Sequence, residues 1–378
     1  MSVILVRPRA SGGLAAHVDQ ELKELTAAGV DIREAPVQIQ ERPHLLADLR
    51  TVRTLRRAMR TAPDPVAVHA HGLRAGALAA LAMPRHGAAL LAVTLHNRTI
   101  GSRATRRIGA ALLRVIARRA DTVLAVSPDL AEAARRAGAD DVRHAVIPAP
   151  QRDEPIDRAE PAEPADPADR ADRAEERAAG ERRRSRSAGA RRRPGAADAP
   201  LDVLDILVVA RLAPQKGLHD LLDAAAGLKA HAPIPVRLRI AGDGPLHDEL
   251  SARIRAEHLP VQLLGRRQDV PALLEAADLV VSAARWEGQP VWLQEALRAG
   301  RAIIATDAGG TRWVTGEAAH LVPVGDPGAL AAAIRAYRDP QLRSHAESAS
   351  RRRARELPGA SDLVAQLTEI LLPDGSSW

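Results

Sequence analysis

Short runs of Val, Ile, Leu and Ala recur along this chain, each followed by a stretch with helical spacing of its apolar residues, and the recurrence halts only once. In the first half, residues 2–7, 66–70, 89–95, 121–127 and 143–147 read as buried strands. Helical patterns lie at about 14–28, 44–60, 74–83, 103–119 and 129–137. After Leu201 the strands are 203–210, 235–241, 261–264, 278–282, 302–306 and 319–322. Their helices fall at about 217–230, 245–257, 269–276, 291–299, 327–337, 340–356 and 360–371. Strand–helix alternation at this spacing builds a parallel, doubly wound sheet covered on both faces. Two such halves give two Rossmann-like domains facing across a cleft. Open sheets of this kind bind ligands at the carboxyl ends of their strands, so the cleft is where chemistry is expected.

Between the halves the pattern stops. Residues 151–200 contain no Leu and no Val, are rich in Asp, Glu, Pro and Ala through Glu181, and then carry Arg182-Arg183-Arg184 and Arg191-Arg192-Arg193. Such a segment buries too little apolar surface to offset its ordering entropy, and a disordered charged linker is expected. The organisation is therefore an N-terminal domain over 1–150, the linker over 151–200, and a second domain over 201–356. A C-terminal helix and tail, 357–378, is expected to pack back on the first domain. A length of 378 residues suits two cores better than one.

The chain has no Phe, one Tyr and four Trp, so few aromatics are available for base stacking, and with no Cys it lacks the residues for disulfides and thiolate metal sites. The opening apolar run, Val3 to Val6, is too short for a signal peptide or a membrane span, and a cytoplasmic location is expected. A net charge of +7 attracts anions without choosing among nucleotides, nucleic acids and acidic lipid.

Two loops carry the chemistry. Trp286-Glu287-Gly288-Gln289-Pro290-Val291-Trp292-Leu293-Gln294-Glu295 joins a strand to a helix, with Pro290 placed in the first helical turn. Free amides at a helix start carry partial positive charge suited to a phosphate or a sugar hydroxyl. Glu287 and Glu295 are acceptor-only groups that can hold two sets of hydroxyls, although isolated glutamates are commonly solvated surface acids. In the second loop, Arg211-Leu212-Ala213-Pro214-Gln215-Lys216-Gly217, a buried strand ends and two cations follow. Arg grips a phosphate bidentately and Lys adds a point charge, enough to neutralise a diphosphate without a metal. Alone, this too reads as an ordinary polar loop, in which a lysine is dispensable for folding.

The order of these motifs resembles that of the family-4 retaining glycosyltransferases (glycosyl transferases group 1) of GT-B fold. Gly12-Gly13 follow the first strand, His69-Ala70-His71-Gly72 ends another, and Thr94-Leu95-His96-Asn97 a third. Ala120-Asp121-Thr122-Val123 through Ser127, Ala241-Gly242-Asp243-Gly244-Pro245, Leu264-Gly265, Ala299-Gly300 and Ala305-Thr306-Asp307-Ala308-Gly309-Gly310 continue the series. The likeness spans nearly the whole chain except 151–200, and the C-terminal set is the more specific.

The resemblance implies a nucleoside-diphosphate-sugar donor and an unidentified acceptor, with no cofactor and no metal. Arg211 and Lys216 would stabilise the departing diphosphate, Glu287 would hold the donor sugar, and Glu295 the ribose. The stretch Gln289, Pro290, Val291 and Trp292, together with Gly265, would touch sugar and phosphate, while Gly12 and Gly13 let their loop approach the diphosphate. His96 would sit near the reacting sugar, with His71 and Asn97 on the acceptor side. Retention is usually explained in such enzymes by front-face attack, which needs no protein nucleophile. The chain departs from the family pattern at Ile147-Pro148-Ala149-Pro150, where an Asn-Gly pair is usual, at Ala302 in place of Pro, and at Trp313 in place of an acid.

Other features compete. His69 and His71 are expected to point to opposite sides, one inward and one to the cleft, and a pair with no third ligand argues weakly for a metal. Asp166 and Asp169 fall in the linker and are discounted as ligands. The basic amphipathic stretch Arg103–Arg119, with Ile108, Leu112, Val115 and Ile116 on one face, either packs on the first sheet or rests weakly on an anionic membrane surface. The Arg runs at 182–193 bind phosphates non-specifically with ease but lack a reading element, so specific nucleic-acid binding is not expected. A nucleotide-sugar epimerase of the same fold, and a non-catalytic anionic-polymer binder acting through the Arg runs, remain the alternatives to transfer.

Overall fold

The computed structural model describes residues 2–9, 13–39, 44–62, 66–84, 89–99, 101–149, 203–230 and 235–373. The expectations placed on the linker, its Arg runs, Asp166, Asp169 and Gly12 lie outside the described residues.

The first half runs β1 (Ser2–Val6), α1 (Gly13–Ala27), β2 (Ile32–Glu34), α2 (Leu45–Thr61), β3 (Val66–His71), α3 (Leu73–Ala82), β4 (Leu90–Leu95), α4 (Arg103–Ala117), β5 (Thr122–Ala125), α5 (Pro128–Arg136) and β6 (Val142–His144). Its strands pair in parallel in the order β2-β1-β3-β4-β5-β6. The central strands are continuous apolar runs with every residue of β1 buried, as a sheet covered on both faces requires.

The second half runs β7 (Leu204–Val209), α6 (Leu218–Ala230), β8 (Val236–Ala241), α7 (His247–Ala256), β9 (Val261–Gly265), α8 (Val270–Ala276), β10 (Leu279–Ser282), α9 (Val291–Arg298), β11 (Ala302–Thr306), α10 (Thr311–Thr315), β12 (Ala319–Val322), α11 (Pro327–Ala336), α12 (Pro340–Arg355) and α13 (Ala360–Leu371). This sheet is also parallel, in the order β12-β11-β10-β7-β8-β9. The two sheets belong to one compact unit, residues 1–150 with 203–378.

Each sheet has a point where the strand order reverses. The chain enters the first at β1, with β2 on one side and β3 on the other, and the second at β7, between β8 and β10. Loops leaving such neighbouring strands diverge and open a crevice at their carboxyl ends. The loop after β3, and those after β7 and β10, lie at these carboxyl ends.

The last helix returns to the first half: Leu363, Leu367 and Leu371, on one face at i, i+4 and i+8, are buried in the core that holds β1 and β3. The basic helix α4 likewise turns Ile116 fully inward, with Leu112 and Val115 packed against the same core, while Ile108 is left 55% exposed. Sequence patterning overlooked β2, an edge strand of three residues reading Ile-Arg-Glu with no apolar run. It also overlooked α10, a helix of five residues.

Candidate active site

The loop after β7 is held by its own backbone. Pro214–Lys216 forms one 3-10 turn, and Gly217 leaves it at φ 61, the left-handed region open to glycine. A Cβ at Gly217 would overlap the carbonyl oxygen of Ala283, so the loops after β7 and β10 touch where no side chain fits. A further strap ties them, because the Arg285 amide donates to the Gln215 carbonyl at 2.8 Å and its guanidinium donates to both oxygens of Asp220 at 2.8 and 3.0 Å. The consequence is to bring Lys216 onto Glu287: the ammonium donates to Glu287 Oε1 at 2.6 Å, and the two side chains are 19% and 9% exposed. Arg211 projects exposed from the start of the same loop.

The loop after β10 is pinned from the other side by the turn after β11. The Gly310 amide donates to the Glu287 carbonyl at 3.0 Å, and a Cβ on Gly309, at φ 56, would overlap that same carbonyl. Pro290 is the N-cap of α9 rather than part of its first turn, so the helix begins at Val291. The first amides of a helix have no intrahelical acceptor, and those of Val291 and Trp292 occupy that position. Glu295 lies within the second turn, half-buried and engaged by neighbouring groups. Gly265 ends β9 at φ 66 with open space where a side chain would stand.

Other residues of this motif work across the two halves. Gln289 donates to the Ala145 carbonyl and lies 2.9 Å from His144 Nε2. Gln294 is buried, donates to the Ile147 carbonyl at 2.7 Å and accepts from the Ala149 amide at 3.0 Å, while Arg298 donates to the Ala149 carbonyl at 3.1 Å. The departure at Ile147-Pro148-Ala149 is thus accommodated by side chains of α9 that clamp the backbone. Trp313, standing where an acid is usual, packs on His144 with ring centres 4.0 Å apart. Trp286 donates its indole N–H to Asp129 at 3.0 Å. Sequence reasoning treated Gln294 and Trp286 only as parts of a motif; their partners, about 150 residues away, have no local signal.

On the first sheet, His96 is half-buried and Asn97 exposed just past β4. A Cβ on Gly288 would lie 3.6 Å from the His96 carbonyl oxygen, which sets His96 beside the loop carrying Glu287. Gly13 opens α1 exposed, with free space around it. The expectation that His69 and His71 diverge is corrected. Residues two apart on a strand share a face, and both rings point toward Glu21 of α1, with centres 4.3 Å apart. His69 donates from Nδ1 to Glu21 Oε1 at 2.5 Å and takes the Thr94 hydroxyl on Nε2 at 2.8 Å. His71 is fully buried, so it meets the cleft only through His96, whose Nε2 lies 3.0 Å from its Nδ1. Burial pushes the imidazoles of His71 and His96 below their ordinary range, and that of His17 down to about 4, keeping the rings neutral at physiological pH. The sequence reading missed His17 and Glu21; their i, i+4 spacing in the helix after Gly13 was the available signal.

Comparison with known proteins agrees with this architecture. The family description "Glycosyl transferase 4-like domain" matches residues 1–150, and "Glycosyl transferases group 1" matches residues 204–339. A phosphatidyl-myo-inositol mannosyltransferase of Mycobacterium leprae is 37% identical over 131 residues, 32% of this chain and 33% of that protein. An alpha-D-kanosaminyltransferase of Streptomyces kanamyceticus is 30% identical over 164 residues, 41% of each. Matches to such relatives span 28% to 41% of their length, well under half. Among solved structures, Anabaena Alr3699/HepE in complex with UDP superposes with a TM-score of 0.69 over 98% of this chain and 99% of that one, at 19% identity. Sucrose-phosphate synthase from Thermosynechococcus elongatus reaches 0.71 over 98% of each at 18%. Both share the two-sheet GT-B fold. With a 4-like domain on its first sheet and a group 1 domain on its second, this chain belongs to the family-4, group 1 glycosyltransferases.

Proposed function

We propose that the chain is a retaining glycosyltransferase that moves a sugar from a nucleoside diphosphate onto an acceptor hydroxyl. The carrying observation is the meeting of Lys216 and Glu287 at the point where the strand order of the second sheet reverses. A cation and a carboxylate side by side, next to a helix start, match the two ends of a sugar diphosphate. Arg211 and Lys216 take the phosphates with the amides of α9, Glu287 the sugar hydroxyls, and Glu295 the ribose. As the glycosyl–oxygen bond breaks, negative charge gathers on the diphosphate, and preorganised cations there favour the transition state over the ground state. Fixed cations in this position make a divalent ion unnecessary at the diphosphate. His96, neutral and at the junction of the halves, faces the sugar as a hydrogen-bonding group, and Asn97 lies beside it toward the acceptor. Attack from the face the leaving group vacates, with a phosphate oxygen receiving the acceptor proton, gives retention without a protein nucleophile. Relatives named as galactosyl-, kanosaminyl- and mannosyltransferases support a hexose-like donor.

A weak peripheral membrane contact on the cytoplasmic side is the second part of this reading. Leu45, Leu46 and Leu49 at the start of α2 are 82%, 63% and 53% exposed, next to exposed Arg50 and Arg53. Apolar side chains rimmed by cations suit an anionic lipid surface. Among the described residues no helix is long and apolar enough to cross a membrane. The deciding experiment for the donor is a thermal-shift screen of nucleotide sugars, since a ligand bound only by the native state raises its melting temperature. Stabilisation by one nucleoside-diphosphate sugar, followed by release of its nucleoside diphosphate on adding acceptors, supports transfer. Turnover of the donor sugar into an epimer without an acceptor would favour the epimerase instead.

A further inference from the structure

The first sheet gathers a set of imidazoles of which the donor chemistry uses only His96. His17 and Glu21 come from α1, His69 and His71 from the end of β3, and His96 from the loop after β4. One nitrogen from each of His17, His71 and His96 lies within 4.8 Å of the others. Three of the four buried side-chain polar atoms without a hydrogen bond, among the described residues, fall in this one cluster: His17 Nδ1, His71 Nε2 and Glu21 Oε2. Glu21 Oε2 and His71 Nε2 face each other at 3.3 Å, which leaves His17 Nδ1 as the atom of the cluster with no partner, where buried polar groups are ordinarily satisfied.

The geometry points to a divalent cation of the zinc class, held by His17, His71 and His96. Three imidazoles on one tetrahedral zinc, with Zn–N of about 2.0–2.1 Å, hold their ring centres roughly 5 Å apart. Here the centres are 5.3 Å apart for His71 and His96, 5.7 Å for His17 and His96, and 5.8 Å for His17 and His71. The nitrogens of His71 and His96 are already 3.0 Å apart, within a few tenths of an ångström of the spacing two ligand atoms take on such an ion. Neutral nitrogen donors without thiolate or water-rich carboxylate ligands suit zinc, copper, iron or nickel rather than magnesium or calcium.

The surroundings complete the argument. Histidine ligands usually donate their second N–H to a carboxylate, which orients the ring. Glu21 Oε2 lies 3.3 Å from His71 Nε2 and 3.8 Å from His17 Nε2, behind two of the three rings. The Glu21 side chain is wholly buried, and its ion-pair partners among the described residues are all histidines. A buried carboxylate needs a compensating charge, and a divalent ion on the adjoining rings supplies one. His17 and His71 are buried whereas His96 is half-buried, so the open fourth position lies on the His96 side, toward the other half of the molecule, where a water or an acceptor hydroxyl can bind. This site is separate from the diphosphate end of the donor site and is independent of how the diphosphate is held.

The test uses the tag-free full chain, stripped with chelator and titrated with Co2+ alone. The expected result is about one equivalent bound with the intense visible d–d bands of a four- or five-coordinate nitrogen site, displaced by Zn2+. His17→Ala and His96→Ala each abolish the bands, while Glu21→Gln, which alters only the carboxylate behind the rings, weakens binding about 10–100-fold. Melting curves in chelator establish that the variants fold; should His17→Ala not fold, the wild-type titration and His96→Ala still decide. A wild-type chain that gives only the faint bands of hydrated cobalt overturns the proposal. So does a His96→Ala chain that keeps the intense bands.

Discussion

Replacing Lys216 by Ala removes one partner of the ion pair on which the donor assignment turns. Two effects follow, and they are separable. In the free protein, Glu287 is only 7% exposed and loses the ammonium 2.6 Å from its Oε1. Leaving a desolvated acceptor without its partner costs about 1–3 kcal/mol. That exceeds the change of within about 0.5 kcal/mol expected of an exposed loop lysine, which is how the sequence alone reads this position. In turnover, the variant lacks a cation placed where the diphosphate gains charge, a loss of about 10²–10³ in kcat, or about 3–4 kcal/mol. Adding Glu287→Gln separates the two. The double variant should recover much of the stability, because no carboxylate is left unpaired, and none of the turnover. Lys216→Arg should rescue only in part, since its planar fork is longer than the ammonium stem. The assay is denaturant unfolding beside kcat with a matched donor and acceptor. A folded Lys216→Ala chain with kcat within about threefold of wild type would refute the reasoning.

Three further outcomes are expected. His17, whose folded value is depressed to about 4 from 6.5, contributes stability that is complete above pH 6.5 and lost as pH falls from there through about 4. At 1.36 kcal/mol per pH unit this amounts to about 3 kcal/mol, read in chelator as a difference between wild type and His17→Gln; equal pH profiles for the two would count against it. Gln294→Ala strips partners from the Ile147 carbonyl and the Ala149 amide, so unfolding free energy should drop by about 2 kcal/mol or more, and an unchanged denaturant midpoint would show the clamp to be idle. Gly217→Ala places a methyl against the Ala283 carbonyl at a positive φ, costing about 1–3 kcal/mol and loosening nucleotide affinity, whereas unaltered melting and binding would mean the two loops are not wedged together.

Much of this was legible in the chain because parallel strands buried on both faces are nearly continuous apolar runs. β1, β3, β4, β7, β10 and β11 declare themselves this way, and all but β11, which the five-residue α10 follows, lead into a helix long enough to show its period. The donor loop was legible because its parts are local: Arg211 to Gly217 and Glu287 to Glu295 each lie within a few residues of a strand end. What escaped was either too short to carry a period, as in β2, or assembled from distant segments. Gln294 gains meaning only beside Ile147 and Ala149, and Lys216 only beside Glu287. His69 and His71 looked like a pair without a third ligand because the rings that join them lie 52 residues before and 25 residues after the first two along the chain, a distance that only the sheet order closes.

The central claim is that the second sheet holds a nucleoside diphosphate by fixed cations rather than by a metal ion. Calorimetric titration of UDP, GDP and ADP into the full chain, in excess chelator, tests it most directly, with Arg211→Ala and Lys216→Ala alongside. The account predicts that one of these nucleotides binds in chelator, and that each variant loses about 1.5–3 kcal/mol of affinity, roughly 10–100-fold. Binding that appears only when a divalent ion is restored, or that both variants retain in full, would contradict it.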